Sequence, residues 1–144
     1  MSETDHTDDT DNAPAPTVWG TFQARDARAM LDFLVAVGFE ATAVYADDAD
    51  PSFVHHAQLD WPEGGGLMFG SHKDGDWSLT PGSAGFYVVS ADPRTVLERA
   101  TAAGAEITRP LQESDYGSTE FAFRDPEGNR WSVGTYRGVP RKAD

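Results

Sequence analysis

The sequence predicts an α+β chain made of two βαβββ modules in tandem. Three observations carry that expectation. Short apolar runs are bounded by Gly and Pro, as strands are. Two longer segments place apolar residues at helical spacing. The order strand, helix, three strands then occurs twice, at an offset of about 66 residues.

The elements follow in order. Val18–Ala24 reads as a strand, and Asp26 opens a helix with Met30, Leu31, Leu34 and Val35 along its apolar side. Gly38 ends that helix. Phe39–Tyr45, Phe53–Trp61 and Gly66–Gly70 are the next three strands, punctuated by Pro51 and by 62–65. Residues 71–83 form a linker.

In the second half Ala84–Ser90 is a strand, and Asp92-Pro93 starts a helix with Pro at its first position. Val96, Leu97 and Ala100 line that helix, and Gly104 ends it. Ala105–Leu111, Ser118–Arg124 and Asn129–Tyr136 complete the set. The domain reading is a disordered acidic tail over 1–16, one module over 17–70, the linker, a second module over 84–137 and a loose end over 138–144. Leu31, Leu34, Leu97, Phe22, Val89, Leu67 and Trp131 are expected to pack between helices and sheets.

The offset is 66 from Asp26 to Asp92 and from Gly38 to Gly104, and 64 for the last strands, pairing Met68 with Ser132. For the first strands it reads as 67, which pairs Trp19 with Phe86 and Gln23 with Ser90.

Composition narrows the function. The 144 residues include no cysteine, which removes disulfides, thiolate metal sites and cysteine nucleophiles. The net charge is −13, and Glu3, Asp5, Asp8, Asp9 and Asp11 supply five of those charges. So acidic a chain repels phosphate backbones, so no nucleic-acid partner is expected. No apolar run approaches the about 20 residues of a membrane span, and the start lacks the basic and apolar regions of a secretory signal. The expectation is a soluble cytoplasmic protein without a membrane partner.

Three segments carry a resemblance: Asp32-Phe33-Leu34 to Gly38-Phe39-Glu40, Leu97-Glu98-Arg99 to Gly104-Ala105-Glu106, and Phe121 through Asp125-Pro126-Glu127-Gly128-Asn129 to Trp131. Together they resemble the vicinal oxygen chelate (glyoxalase/bleomycin resistance/dioxygenase) superfamily over about residues 18–137. The resemblance implies that each module curls into a half-barrel with its helix outside, and that a twofold homodimer encloses the cavities. The Asp125–Asn129 turn itself has a structural account, with Pro presetting φ and Gly supplying positive φ.

The resemblance also implies four inward-facing metal positions, usually His, Gln or Glu. Carried over, they fall on Trp19, Met68, Phe86 and Ser132. None of these suits a catalytic divalent ion, which needs several imidazole or carboxylate donors. His55-His56 is no chelate, since neighbours on a strand face opposite ways. A cluster of Gln23, His55 and Glu120 has no spacing rule behind it. No metal and no cofactor are therefore expected, and lyase, isomerase or dioxygenase chemistry of the metal-dependent kind is disfavoured.

What remains is an apolar and aromatic pocket. Trp19, Met68, Phe86 and Ser132 are joined through alternation by Thr21, Gln23, Val88 and Tyr136, with His55 beside them. Ser90 falls on the same face. Tyr116 lies on a loop that the resemblance places at the pocket's border. The ligand-binding set is thus Trp19, Thr21, Gln23, His55, Met68, Phe86, Val88, Tyr116, Ser132 and Tyr136. A pocket of this kind suits a small flat ligand such as an antibiotic. Two alternatives stay open: a divergent enzyme using Gln23, His55 or Tyr136, and a ligand-free accessory dimer whose aromatics plug the half-barrels.

Overall fold

The computed structural model describes residues 14–142. The expected tail lies outside the described residues through position 13, as do 143 and 144. The first module runs β1 (Gly20–Ala24), α1 (Ala27–Val37), β2 (Glu40–Ala46), β3 (Val54–Asp60) and β4 (Gly66–Ser71). The second runs β5 (Gly85–Val89), α2 (Pro93–Ala102), β6 (Glu106–Glu113), β7 (Thr119–Arg124) and β8 (Arg130–Gly134). Among the described residues, no helix is long and apolar enough to cross a membrane.

Each module makes one four-stranded sheet, in the orders β1-β4-β3-β2 and β5-β8-β7-β6. The first strand of each lies parallel to the last, and the remaining pairs are antiparallel. The helix supplies the crossover that such a parallel pair requires.

Both helices start where an aspartate can cap them. The Asp26 carboxylate accepts the Ala29 N–H at 3.0 Å, and Asp92 accepts the Thr95 N–H at 3.3 Å and its hydroxyl at 2.6 Å. Gly38 ends α1 at a φ of +139°, with Arg99 and the Trp61 ring both 3.3 Å from where a β-carbon would sit. A side chain there would meet both strain and crowding. Val35 departs from expectation. It is exposed, because the buried side of α1 runs through Met30, Leu31, Phe33, Leu34 and Val37 instead.

One core serves both modules. Phe22 meets Phe86 at 5.3 Å between ring centroids, Phe39 meets Trp131 at 5.8 Å, and Phe33 meets Phe123 at 6.0 Å. Polar contacts cross as well. Glu127 accepts the backbone N–H groups of Arg25 and Asp26 at 2.6 and 2.8 Å, so the closing turn of the second module holds the start of α1 in the first.

That turn is built around Asp125. Its buried carboxylate accepts the N–H of Glu127 and Asn129, the Asn129 amide and the Trp131 indole, at 2.8–3.0 Å. Asn129 in turn accepts the Ala84 N–H at 3.0 Å. The Asp-Pro-Glu-Gly-Asn run is thus a buried hydrogen-bonded staple under β8.

Strand pairing corrects the offset of the first strands. Thr21 stands beside Met68, and Tyr87 stands beside Ser132. Since Met68 and Ser132 are equivalent, Thr21 and Tyr87 are too, and the offset is 66 rather than 67. One residue of slip exchanges the two faces of a strand. Phe86 and Val88 therefore turn into the core, with Phe86 tilted over Trp131 at 4.3 Å, and Tyr87 and Val89 take the open face. The expectations that Phe86 and Val88 face the cavity and that Val89 packs under the helix are both reversed. Ser90, expected on that cavity face, is buried. The reason is the aromatic core, which gives Phe86 partners in Phe22 and Trp131.

Candidate functional site

Each sheet is sealed on its helix side and open on the other. On the first sheet the open face carries Thr21 and Gln23 from β1, Met68 and Gly70 from β4, and His56 and Gln58 from β3. A groove of about 390 Å³ lies there, bordered among others by Thr21, Gln23, His55, His56, Met68 and Trp77. Both histidines reach it because the β2–β3 register shifts between Tyr45 and Ala46, which corrects the expectation that only one could enter. His56 stacks on Tyr45, and His55 Nε2 lies 3.0 Å from Asp47. The His55 hydrogen bond holds the Asp47 carboxyl below its usual range.

Gln23 is committed to structure. Its Oε1 accepts the Leu79 N–H at 3.0 Å and lies 3.1 Å from His72 Nδ1, while its amide donates to the Trp77 carbonyl at 3.4 Å. These bonds fold the 72–79 segment against the sheet and hold Trp77, 91% exposed, at its tip. Trp19 is placed differently from expectation. Its indole donates to the Pro16 carbonyl, its ring covers Gly66, and it does not border the groove on the first sheet's open face.

The second sheet presents Tyr87 from β5, Ser132 and Gly134 from β8, and Glu120 and Ala122 from β7. Tyr87 and Tyr116 both donate to Glu120 Oε2, at 3.1 and 2.5 Å. Tyr136 stands edge-on to Tyr116 with centroids 5.4 Å apart. Burial alone would raise the Glu120 carboxyl, but hydrogen bonds led by that from Tyr116 outweigh it and hold the group below its usual range. The phenols respond oppositely. Desolvation pushes Tyr87 up, and the bond to Glu120 pushes Tyr116 up.

A second groove, of about 430 Å³, runs along the junction of the modules. Phe39, Trp61, Phe86, Tyr87 and Trp131 border it, and an Arg137–Glu63 ion pair of 3.0 Å adjoins it. Trp61 is pinned by its indole bond to the Val89 carbonyl at 2.7 Å. Phe86 and Val88 touch this groove from the core side, so they border a recess other than the one expected of them.

The residues at the family's metal positions do not fit a divalent ion. With the corrected register, Gly85 replaces Phe86 as the equivalent of Trp19, leaving an indole, a thioether, a glycine and a hydroxyl. Among the described residues, no three His, Cys, Asp or Glu side chains gather into a group able to hold a metal.

The structure brings together four of the expected residues in the first groove, Thr21, Gln23, His55 and Met68. It gathers three more, Tyr116, Ser132 and Tyr136, around the second sheet's face. Tyr87 and Gly134 were missed. Carrying the helices' offset of 66 back to the first strands exposes Tyr87 as the partner of Thr21.

A sequence model described as Glyoxalase/Bleomycin resistance protein/Dioxygenase superfamily matches residues 16–133. No curated protein matches the chain. Among solved structures, TioX from Micromonospora sp. ML1 is similar at 26% identity and a TM-score of 0.64, covering 85% of this chain and 98% of its own. A glyoxalase/bleomycin resistance protein from Streptomyces sp. CB03234 aligns at 19% identity and a TM-score of 0.62, over 80% of this chain and 96% of its own. A bleomycin-binding protein complexed with bleomycin aligns at 16% identity and a TM-score of 0.58, over 85% and 100%.

Proposed function

The chain belongs to the glyoxalase/bleomycin resistance protein/dioxygenase superfamily, and from that premise we propose that it binds a small aromatic molecule without a metal, as a homodimer. The observation that carries this reading is the asymmetry of the sheets. One face of each is packed in a shared core, and the other is open and carries polar and aromatic side chains, Tyr87, Tyr116 and Tyr136 above all. An open concave sheet face is completed by covering it, and a second copy of the chain brings a matching face by twofold symmetry.

The donor set supports binding over metal-dependent catalysis. Lewis-acid chemistry needs several oxygen or nitrogen donors converging on one point. Trp19, Met68, Gly85 and Ser132 supply at most one hydroxyl. Sequestration of an antibiotic is the form of binding that the bleomycin-binding neighbour suggests. Of the residues that the divergent-enzyme alternative would use, Gln23 has both ends of its amide already engaged.

The test is a titration with aromatic antibiotics, bleomycin included, read by melting temperature and tryptophan emission. A saturable shift, together with a dimer in sedimentation velocity, is the expected result. A monomer whose melting temperature and emission no aromatic compound alters would refute the reading.

A further inference from the structure

The cluster around Glu120 is more than a loop fastening. Two phenols share one carboxylate oxygen, and a third ring, that of Tyr136, stands against the second of them. All three tyrosines remain substantially exposed, at 43%, 61% and 47% for Tyr87, Tyr116 and Tyr136. The backbone beneath them is Gly134, where a β-carbon would fall 2.5 Å from the Tyr87 hydroxyl and 2.6 Å from Glu120 Cγ. The site is thus shaped by a position where any side chain would push both Tyr87 and Glu120 aside.

No lysine or arginine among the described residues lies within ion-pair distance of Glu120. Arg109, on the neighbouring β6, acts on it only at longer range. Alternation puts Arg124 and Arg130 on the same face but at its other end, about 13 Å along the strands at the usual rise per residue. A carboxylate kept ionised, walled by electron-rich rings and lacking a close cation, has the chemistry of a receptor for an organic cation. An anionic ligand would be repelled there, and a neutral ring would leave the charge unmatched.

We infer that the open face of the second sheet selects ligands carrying an organic cation, an amine or quaternary nitrogen attached to an aromatic body, seated against Glu120 among Tyr87, Tyr116 and Tyr136. The inference rests on the small-molecule reading above and specifies the ligand's charge. The chain's net charge of −13 adds long-range attraction for the same class.

The experiment compares N-methylacridinium with acridine at pH 8, where acridine is neutral, by dye fluorescence on the full chain. The cation is expected to bind at least about tenfold tighter. Glu120→Gln is expected to remove that preference while leaving acridine within about twofold. Glu98→Gln, an exposed carboxylate of α2, controls for overall charge and is expected to leave both dyes within about twofold. If Glu120→Gln does not fold, Tyr136→Ala replaces it, with an expected loss of about threefold or more for the cation alone. Equal binding of the two dyes overturns the inference, as does a loss from Glu120→Gln no larger than from Glu98→Gln, or an equal loss of both dyes in Tyr136→Ala. Acridine binding without cation preference sinks this inference alone, whereas failure of both dyes to bind sinks it together with the binding reading.

Discussion

Asp125 accepts the indole N–H of Trp131 at 2.9 Å across the closing turn of the second module, and both residues are buried. The bond ties the turn's central carboxylate to the largest side chain of the core. Asp125→Ala would leave the Trp131 indole, the Asn129 amide and two backbone N–H groups without their acceptor. A loss of about 2–4 kcal/mol is expected in chemical denaturation, since each buried donor left unsatisfied costs about 1–3 kcal/mol and neighbours relax in part. A change of less than about 0.5 kcal/mol would show that water replaces the carboxylate at no cost.

Trp131→Ala and Trp19→Ala should separate clearly. Trp131 is 1% exposed and touches Phe39, Phe86 and Phe123, so its truncation should cost about 3–5 kcal/mol. Trp19 is half-buried over Gly66 and should cost clearly less. Paired thermal melts measure the difference, and equal destabilisation would mean that the Trp19 ring is part of the core.

Gly134→Ala should disturb the open face without emptying the core. The added methyl meets the Tyr87 hydroxyl and the Glu120 side chain, so both must move. Overpacking of this kind costs about 1–3 kcal/mol. The near-ultraviolet tyrosine signal is expected to change with it, and an unaltered spectrum in a folded protein would contradict the crossing of these groups over Gly134.

Glu127→Gln tests the link between modules. The variant keeps one oxygen to accept from either the Arg25 or the Asp26 N–H, sets an amide NH2 that cannot accept against the other, and loses the charge that strengthens these bonds. About 1 kcal/mol of destabilisation is expected, and Glu127→Ala should cost more. Hydrogen exchange at these two amides should accelerate in both variants. Unchanged protection would show that the link contributes nothing.

The pH dependence follows from the directions of the shifts. Asp47, Asp92 and Glu120 are held below their ordinary values of 3.8, 3.8 and 4.5. A carboxyl depressed in the folded state stabilises it above the unfolded value, and that contribution disappears as pH falls through the folded one. The melting temperature should therefore decline on acidification from about pH 4.5 downward. Tyr87 and Tyr116 are raised above 10.0, so their contribution is complete below that value and is lost as pH rises beyond it. Glu120→Gln should flatten part of the acid limb, and a limb identical to the parent's would detach Glu120 from it.

The order of elements was legible in the sequence because its signals are local. Asp26 and Asp92 cap helices, Gly38 ends one and Pro93 opens the other, and each acts within a turn of the chain. The Asp125–Asn129 turn could be read for the same reason. Which face each strand residue takes was legible only in part. Alternation puts Thr21 and Gln23 on the open face, and the resemblance puts Met68 there, whereas Phe86, Val88 and Val89 are not placed correctly, because alternation gives a period and not a phase. The phase of β5 was decided by Phe22 and Trp131, which draw Phe86 into a core shared by both modules. The meeting of Tyr87, Tyr116 and Glu120 over Gly134 likewise needed β5, β8 and β7 side by side and the loop before β7 folded back. The sequence by itself determined where elements start and stop, through short-range hydrogen bonds and backbone geometry. Only the tertiary structure decided which side chains share a surface, because that depends on register between strands far apart in the sequence, as Thr21 beside Met68 and Tyr87 beside Ser132 show, and a single-residue slip reverses it.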